Sequence, residues 1–260
     1  MSNNKINYFL KSKSKKILVI INLVTTNIPI KLTSSAIKFV ILTNSYSKNP
    51  SRDLRKLFKI KDDLEKIINN RALEFGEGEH PKHYLTDYHG FFVRNIKDGA
   101  SVLDIGCGYG ALARSIAINK PNSRVVGIDY DKDKLNQATK SLNPSNLKFI
   151  FGDATKINLK EHFDVVVLSN VLEHISDRTK FMNKLQANCN AKIYLIRVPC
   201  YERDWQVPLR EKLGVQYFND DDHKIEHKLE EFQDEVLEFN LKLKHVITKW
   251  GEIWAICEKN

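Results

Sequence analysis

VLDIGCGYG, residues 102–110, is the stretch from which the rest of this chain is read. Val102, Leu103 and Ile105 make a short apolar run interrupted by Asp104. Glycines stand at 106, 108 and 110, where a strand of that length has to turn. The pattern predicts a buried strand, a tight turn and a helix from about Ala111 to Ile118. Glycine at the turn lets the backbone take positive φ and lets a ligand approach the main chain without meeting a Cβ. The following helix would aim its unpaired N–H groups at the same ligand.

Glycines alone do not choose the ligand, because Gly106, Gly108 and Ala111 also satisfy the dinucleotide fingerprint G-x-G-x-x-G/A. A second apolar run, Val125 to Ile128, ends in Asp129, which sets a carboxylate where a ribose would lie. An acid at about that distance is expected for a nicotinamide cofactor too, so an NAD-linked oxidoreductase is the alternative reading. Asp104 discriminates better. An acid two residues before the first glycine is unfavourable beside a pyrophosphate and suits a ligand with an ammonium and a sulfonium.

In four places, between Ser101 and about Pro199, the chain resembles the class I S-adenosylmethionine (SAM) dependent methyltransferases, in that family's order and approximate spacing. DIGCGYG (104–110) is similar to the family's first motif and GIDYD (127–131) to its ribose-binding acid loop. FGDA (151–154) is similar to its adenine-contacting loop, and FDVVVLSNVLEHI (163–175) to its fourth strand with the substrate-facing end. The resemblance implies an α/β, Rossmann-like sheet of seven strands, mostly parallel with an antiparallel last strand, and a helical N-terminal extension. It implies SAM as cofactor, held by Asp104, Gly106, Cys107, Gly108 and Gly110, by Asp129 and Tyr130, by Asp153 and Ala154, and by Asn170. Glu173 and His174 would sit near the acceptor, His174 serving as a general base or holding a helix terminus. The Asn/Asp-Pro-Pro-aromatic run of methyltransferases acting on base amines is missing here, which weighs against N-methylation of nucleobases.

The chain has 260 residues, a net charge of +9 and 42% hydrophobic residues, enough for one enlarged α/β domain with an extension. The expected organisation is a basic, partly apolar extension over 1–50, a helical cover with an active-site loop over 51–97, and the catalytic domain over 98–260. The charge is concentrated at the front. Residues 1–61 hold 13 Lys/Arg against the single acid Asp53, so the remainder is net acidic and a nucleic-acid substrate is not expected. The basic arm reflects a Lys-rich composition, or a surface that touches anionic lipid or another acidic partner. Cysteines 107, 189, 200 and 257 form no C-x-x-C pair, so reduced thiols in a cytoplasmic setting are expected.

Ile17 to Val24, behind the basic patch Lys11 to Lys16, outlines a signal peptide without a small-x-small cleavage site. It is far short of the roughly 20 apolar residues that span a bilayer. With Ala36 to Leu42, which contains Lys38, it reads as an amphipathic or partly buried extension, with peripheral contact to the inner membrane face, and then a true signal or anchor, as the alternatives. Ser51 is the expected N-cap of a helix from Arg52 to near Gly76, with Leu54, Leu57, Phe58, Leu64, Ile67 and Ile68 on its apolar face.

GEGEHPKHYLTDYHGFF (76–92) concentrates His80, His83 and His89 with Tyr84, Tyr88 and Asp87. It is read as a loop lining the active site, or as a helix start whose side chains cap and pack. His83 and Tyr88 are candidate acceptor contacts, and His89 is a candidate base. Phe163 to Leu168, a Val run without alternation, predicts a strand covered on both faces. After a fifth strand, Ile193 to Val198, come Tyr201, Arg203 and Trp205, which with Arg197 suit a carboxylate, phosphate or sugar, or form an ordinary charged loop. A helix over 225–240 precedes a hairpin made by Lys242 to Ile247 and Ile253 to Cys257.

His223-Lys224-Ile225-Glu226-His227 matches the H-x-x-E-H metal signature. Lying between the fifth and sixth strands behind three aspartates, it is read instead as part of a substrate loop, with His223 near the acceptor and no metal expected. HPKHYLTDYH, RVPCYERDW and WGEIW resemble methyltransferases of bacterial surface-glycan synthesis. The acceptor is therefore expected to be a small molecule or glycan, methylated at oxygen; the oligomeric state is not legible.

Overall fold

The computed structural model describes residues 27–77, 80–156, 159 and 161–260. Its contacts divide the chain into two compact units, 1–63 and 64–260. The basic patch Lys11 to Lys16 and the apolar run Ile17 to Val24 lie outside the described residues. In the first unit, helix α1 (Ile30–Ser45) buries none of its residues and leaves Ile30, Leu32, Ile37, Phe39, Val40 and Leu42 exposed. Helix α2 (Pro50–Phe75) starts two residues earlier than expected. Asn49, not Ser51, caps it: its Oδ1 accepts from the Arg52 N–H at 3.0 Å, and Pro50 takes the first helical position, where a missing N–H costs nothing. Among the described residues no helix is long and apolar enough to cross a membrane.

In the second unit, two short helices, α3 (Lys82–Leu85) and α4 (Tyr88–Arg94), occupy the histidine-rich stretch. Strand β1 (Ser101–Ile105) then leads through the glycine turn into α5 (Ala111–Asn119). The alternation continues with β2 (Arg124–Asp129), α6 (Lys132–Lys140), β3 (Leu147–Phe151), β4 (Val165–Ser169), α7 (Arg178–Cys189) and β5 (Ile193–Pro199). Short 3₁₀ turns follow β4 (Leu172–His174) and β5 (Tyr201–Arg203), and α8 (Gln206–Lys212) and α9 (Leu229–Glu238) lead to the hairpin β6 (Leu241–Lys249) and β7 (Glu252–Lys259). The seven-stranded sheet runs β3-β2-β1-β4-β5-β7-β6, parallel from β3 to β5, with β7 antiparallel to both β5 and β6. This is the expected sheet.

Two apolar layers explain its sequence. Leu103, Ile105, Val166, Leu168 and Ile196 face one core with Phe181, Met182 and Phe232. Val102, Val165, Val167 and Leu195 face the other, with Phe91, Phe92, Leu112, Ile116 and Trp254. Successive residues of β4 thus enter opposite cores, which is why its Val run does not alternate. Asp104 belongs to the Val102 face and stands in register with Gly127 on β2 and Val167 on β4, at the carboxyl edge where open α/β sheets place ligands.

Candidate active site

The glycine turn is a backbone cradle. Gly106 and Gly110 take φ of +67° and +74°, the left-handed region that a Cβ disfavours. At Gly110 a Cβ would also stand 2.4 Å from the Phe149 ring. The cradle is fixed to its neighbours by the Cys107 N–H donating to the Ile128 carbonyl at 3.0 Å and the Gly110 N–H to the Cys107 carbonyl at 2.8 Å. Asp129 completes it: its carboxylate accepts from the Gly108 N–H and the Asp131 N–H, both at 2.7 Å. The acid expected to meet a ribose therefore also shapes the loop beside it.

Asp104 is 2% exposed, and its Oδ2 has no hydrogen-bond partner. Burial, with a smaller contribution from the Asp129 charge, pushes its carboxyl up to about 8, against a smaller opposing effect of the Ala113 amide. A buried carboxylate oxygen without a donor is costly, and a cationic ligand in the cradle would satisfy it.

Two cavities meet here, sharing Gly106 and Asn170. The first, about 930 Å³, is lined by His83, Tyr88, His89, Asp104, Cys107 and Arg197 among others. The second, about 530 Å³, is lined by Asp129, Tyr130, Asp153, Ala154, His174 and Asp222 among others. In the first, the His83 Nδ1 lies 2.5 Å from the Tyr88 hydroxyl, and the His89 and Tyr88 rings meet edge-on at 4.4 Å. Burial pulls both His83 and His89 down to about 4, so both are neutral at pH 7. In the second, Lys156 and Thr155 hold the Asp153 carboxylate at about 2, fixing the loop after β3.

Asn170 stands where the cavities join. It is a non-glycine residue at φ +57°, the strained region that Asn tolerates best. Its Nδ2 donates to Glu173 Oε1 at 2.9 Å, and its Oδ1 accepts from both Nε and Nη2 of Arg197. Glu173 is fully buried, its carboxyl pushed up to about 7 by burial, and its Oε2 lacks a partner. His174 lies behind it, its Nδ1 3.1 Å from Asp222 Oδ2.

The family model described as a methyltransferase domain matches residues 96–252, more than half of the chain. The chain belongs to the class I SAM-dependent methyltransferases. It is 38% identical over 93 residues to the (S)-tetrahydroprotoberberine N-methyltransferase of Eschscholzia californica, covering 35% of this chain and 27% of that protein. It is 27% identical over 133 residues to the ubiquinone biosynthesis O-methyltransferase of Bradyrhizobium diazoefficiens, covering 48% and 51%. The chain thus spans about a quarter of the length of the first relative and about half of the second. Among solved structures, the fold is shared with magnesium protoporphyrin IX methyltransferase from Synechocystis with bound SAH (TM-score 0.55, 14% identity, 69% of this chain and 83% of that one). It is shared also with a SAM dependent methyltransferase from Aquifex aeolicus (TM-score 0.52, 15% identity, 71% and 97%).

In this methyltransferase the expected residues sort into three groups. The cofactor candidates Asp104, Gly106, Cys107, Asp129, Tyr130, Asp153, Ala154 and Asn170 line one or both cavities, and Gly108 and Gly110 lie in the turn that carries Gly106 and Cys107. The acceptor candidates His83, Tyr88 and Arg197, with His89, line the first cavity, Arg197 lying 3.8 Å over the Tyr88 ring. Tyr201, Arg203, Trp205 and His223 line neither. The Tyr201 hydroxyl donates to Glu211, Trp205 is exposed, and Arg203 spends its guanidinium on Glu226 and the carbonyls of Cys200 and Tyr217. The helical H-x-x-E-H geometry does not form: residues 223–227 are irregular, and His227 turns into the core to meet Glu235. Tyr109, Arg114, Ser115 and Gln137, which line the first cavity, carried no sequence signal beyond their place on the turn and on the following helices.

Proposed function

We propose that this chain transfers the methyl group of SAM to an oxygen of a small-molecule acceptor, sugars of a glycan included. The observation that carries the reading is the buried, unpartnered Asp104 oxygen inside a glycine cradle that Asp129 braces. Bound SAM supplies a methyl made electrophilic by its sulfonium. Asp129, Tyr130, Asp153 and Ala154 are assigned to the adenosine, and Asp104, the glycine turn with Cys107, and Asn170 to the amino-acid end. Residues 51–97 are assigned as the cover and 98–260 as the catalytic domain.

The acceptor is assigned to the first cavity at its junction with the second, against His83, Tyr88 and Arg197. Its oxygen forms the new C–O bond as the C–S bond breaks and a neutral sulfide leaves. The acceptor's proton passes to His89, which burial keeps neutral at pH 7. Oxygen is favoured over nitrogen because an amine acceptor needs no such base, whereas a hydroxyl does. The test is transfer of labelled methyl from SAM into fractionated cell extract: label at oxygen of a small molecule or glycan supports the reading, and label only at amines or in nucleic acid contradicts it. His89→Gln should lose turnover while keeping cofactor affinity.

We further propose that α1 rests on an anionic lipid surface, an assignment supported by its exposed Ile30, Phe39 and Leu42 with Lys31 and Lys38 between them. Co-sedimentation of the full chain with phosphatidylserine vesicles, lost on Phe39→Asp, tests it; equal recovery with neutral vesicles contradicts it.

A further inference from the structure

We infer that Glu173, His174 and His223 hold a divalent transition-metal ion beside the second cavity, which His174 lines. One donor atom of each lies within 4.8 Å of the other two, and the same holds for Asp220, Asp222 and His223. An ion about 2.1 Å from each ligand requires donors no more than about 4.2 Å apart, within reach of small rotations. This set replaces the expectation of no metal, and it is not the H-x-x-E-H pair, since His227 faces Glu235.

Proximity of acids and histidines is common, so the inference rests on what their atoms lack. Glu173 is 0% exposed; its Oε1 takes the Asn170 amide, and its Oε2 has no donor. His223, buried as well, has its Nδ1 2.9 Å from Glu226 Oε1. Glu226 is held in turn by Arg203 and by the Asn219 N–H. A carboxylate behind the Nδ1–H of a histidine fixes the tautomer that offers Nε2 as a ligand, the outer-shell arrangement of protein metal sites. The His174 ring meets that of His223 edge-on at 4.7 Å.

Of the three ligands only His174 lines the second cavity, with Asp220 and Asp222, and Glu173 is held by Asn170, which stands where the two cavities join, so the ion would sit beside that junction. Two imidazoles and a carboxylate suit a borderline ion such as Zn²⁺ or Fe²⁺, and Mn²⁺ serves as a paramagnetic probe of the same ligands. Resting on the methyl-transfer reading above, this narrows the acceptor to one that presents a hydroxyl to the metal. Coordination lowers a hydroxyl's pKa and positions its oxygen.

The test uses the full chain and the metal alone: electron paramagnetic resonance of added Mn²⁺ and calorimetric titration with Zn²⁺, with SAM binding measured separately on the same protein. Expected are one ion per chain at micromolar concentration, nitrogen couplings from imidazole in the Mn²⁺ spectrum, and at least a tenfold weakening in Glu173→Gln and His174→Gln. The nitrogen couplings need no variant, so a poorly folding mutant does not leave the question open. Mn²⁺ that remains hexa-aqua at millimolar protein, binding without nitrogen coupling, or full affinity in folded Glu173→Gln would each overturn the site. Metal binding without SAM binding would support the site and contradict the methyl-transfer reading instead.

Discussion

The guanidinium of Arg197 lies 3.8 Å above the ring of Tyr88, while its Nε donates to the Asn170 Oδ1 at 2.7 Å. One side chain therefore ties the helix α4 that carries the aromatic wall to the strained residue after β4. Arg197→Lys keeps the charge but loses both the fork to Asn170 and the flat stacking surface. It should destabilise the protein by about 1–3 kcal/mol, from an unsatisfied amide oxygen and a lost cation–π contact. Urea unfolding followed by circular dichroism measures this; an unchanged midpoint would show that Asn170 is held by other means.

Asp104 makes stability and ligand binding depend on pH in opposite senses. Its carboxyl is raised to about 8 in the fold, so the native state holds a proton that the unfolded chain has released. Ligand-free stability should fall as pH rises toward 8, because the unfolded state binds fewer protons there. A cationic ligand draws the group to its ionised form, so binding at pH 7 should release close to one proton and tighten with rising pH up to about 8. Calorimetry with SAM in buffers of different ionisation enthalpy counts that proton, and Asp104→Asn should abolish the release.

His83 and His89 act in the other direction. Burial lowers both to about 4, so on unfolding each takes up a proton at mildly acidic pH. Their contribution to stability is present above the ordinary histidine value near 6.5 and is lost as pH falls toward 4. The Asp104 slope is therefore best read above pH 6.5, and the histidine slope from the difference between the wild type and a His83→Gln, His89→Gln variant. A variant that loses stability on acidification as steeply as the wild type would mean the two rings are hydrated.

Gly110 combines positive φ with contact to Phe149. Gly110→Ala should cost about 2–4 kcal/mol, the sum of left-handed strain and overpacking. Adding Phe149→Leu should recover part of that loss, and no recovery would assign the whole effect to the backbone. Thermal unfolding of the single and double variants reads both.

The parts of the fold written in local pattern were legible in the sequence. The Val run of β4 announced a strand buried on both faces, and the glycines with Asp104 announced the cradle. Boundaries shifted where a neighbouring residue did the work, as when Asn49 and Pro50 took the helix start from Ser51. What lay between distant segments was hidden. Nothing local says that Asp129 will grip the Gly108 amide, nor that the Lys224 N–H will donate to the Glu173 carbonyl at 2.7 Å and the Tyr201 N–H to the His227 carbonyl at 2.8 Å. Those backbone bonds commit residues 223–227 to an irregular path, so the i, i+4 histidine spacing never becomes a helical pair. Arg203 was misleading for a similar reason, since an arginine's partners 14 and 23 residues away carry no spacing signal.

The most direct measurement is calorimetric titration of the full chain with SAM, its demethylated product and NAD, in the wild type and in Asp129→Ala. One molecule of SAM or of its product should bind at micromolar concentration, NAD should give no heat, and Asp129→Ala should weaken binding by about 1–3 kcal/mol. Binding of NAD without SAM, or equal SAM affinity in Asp129→Ala, would contradict the cofactor site described here.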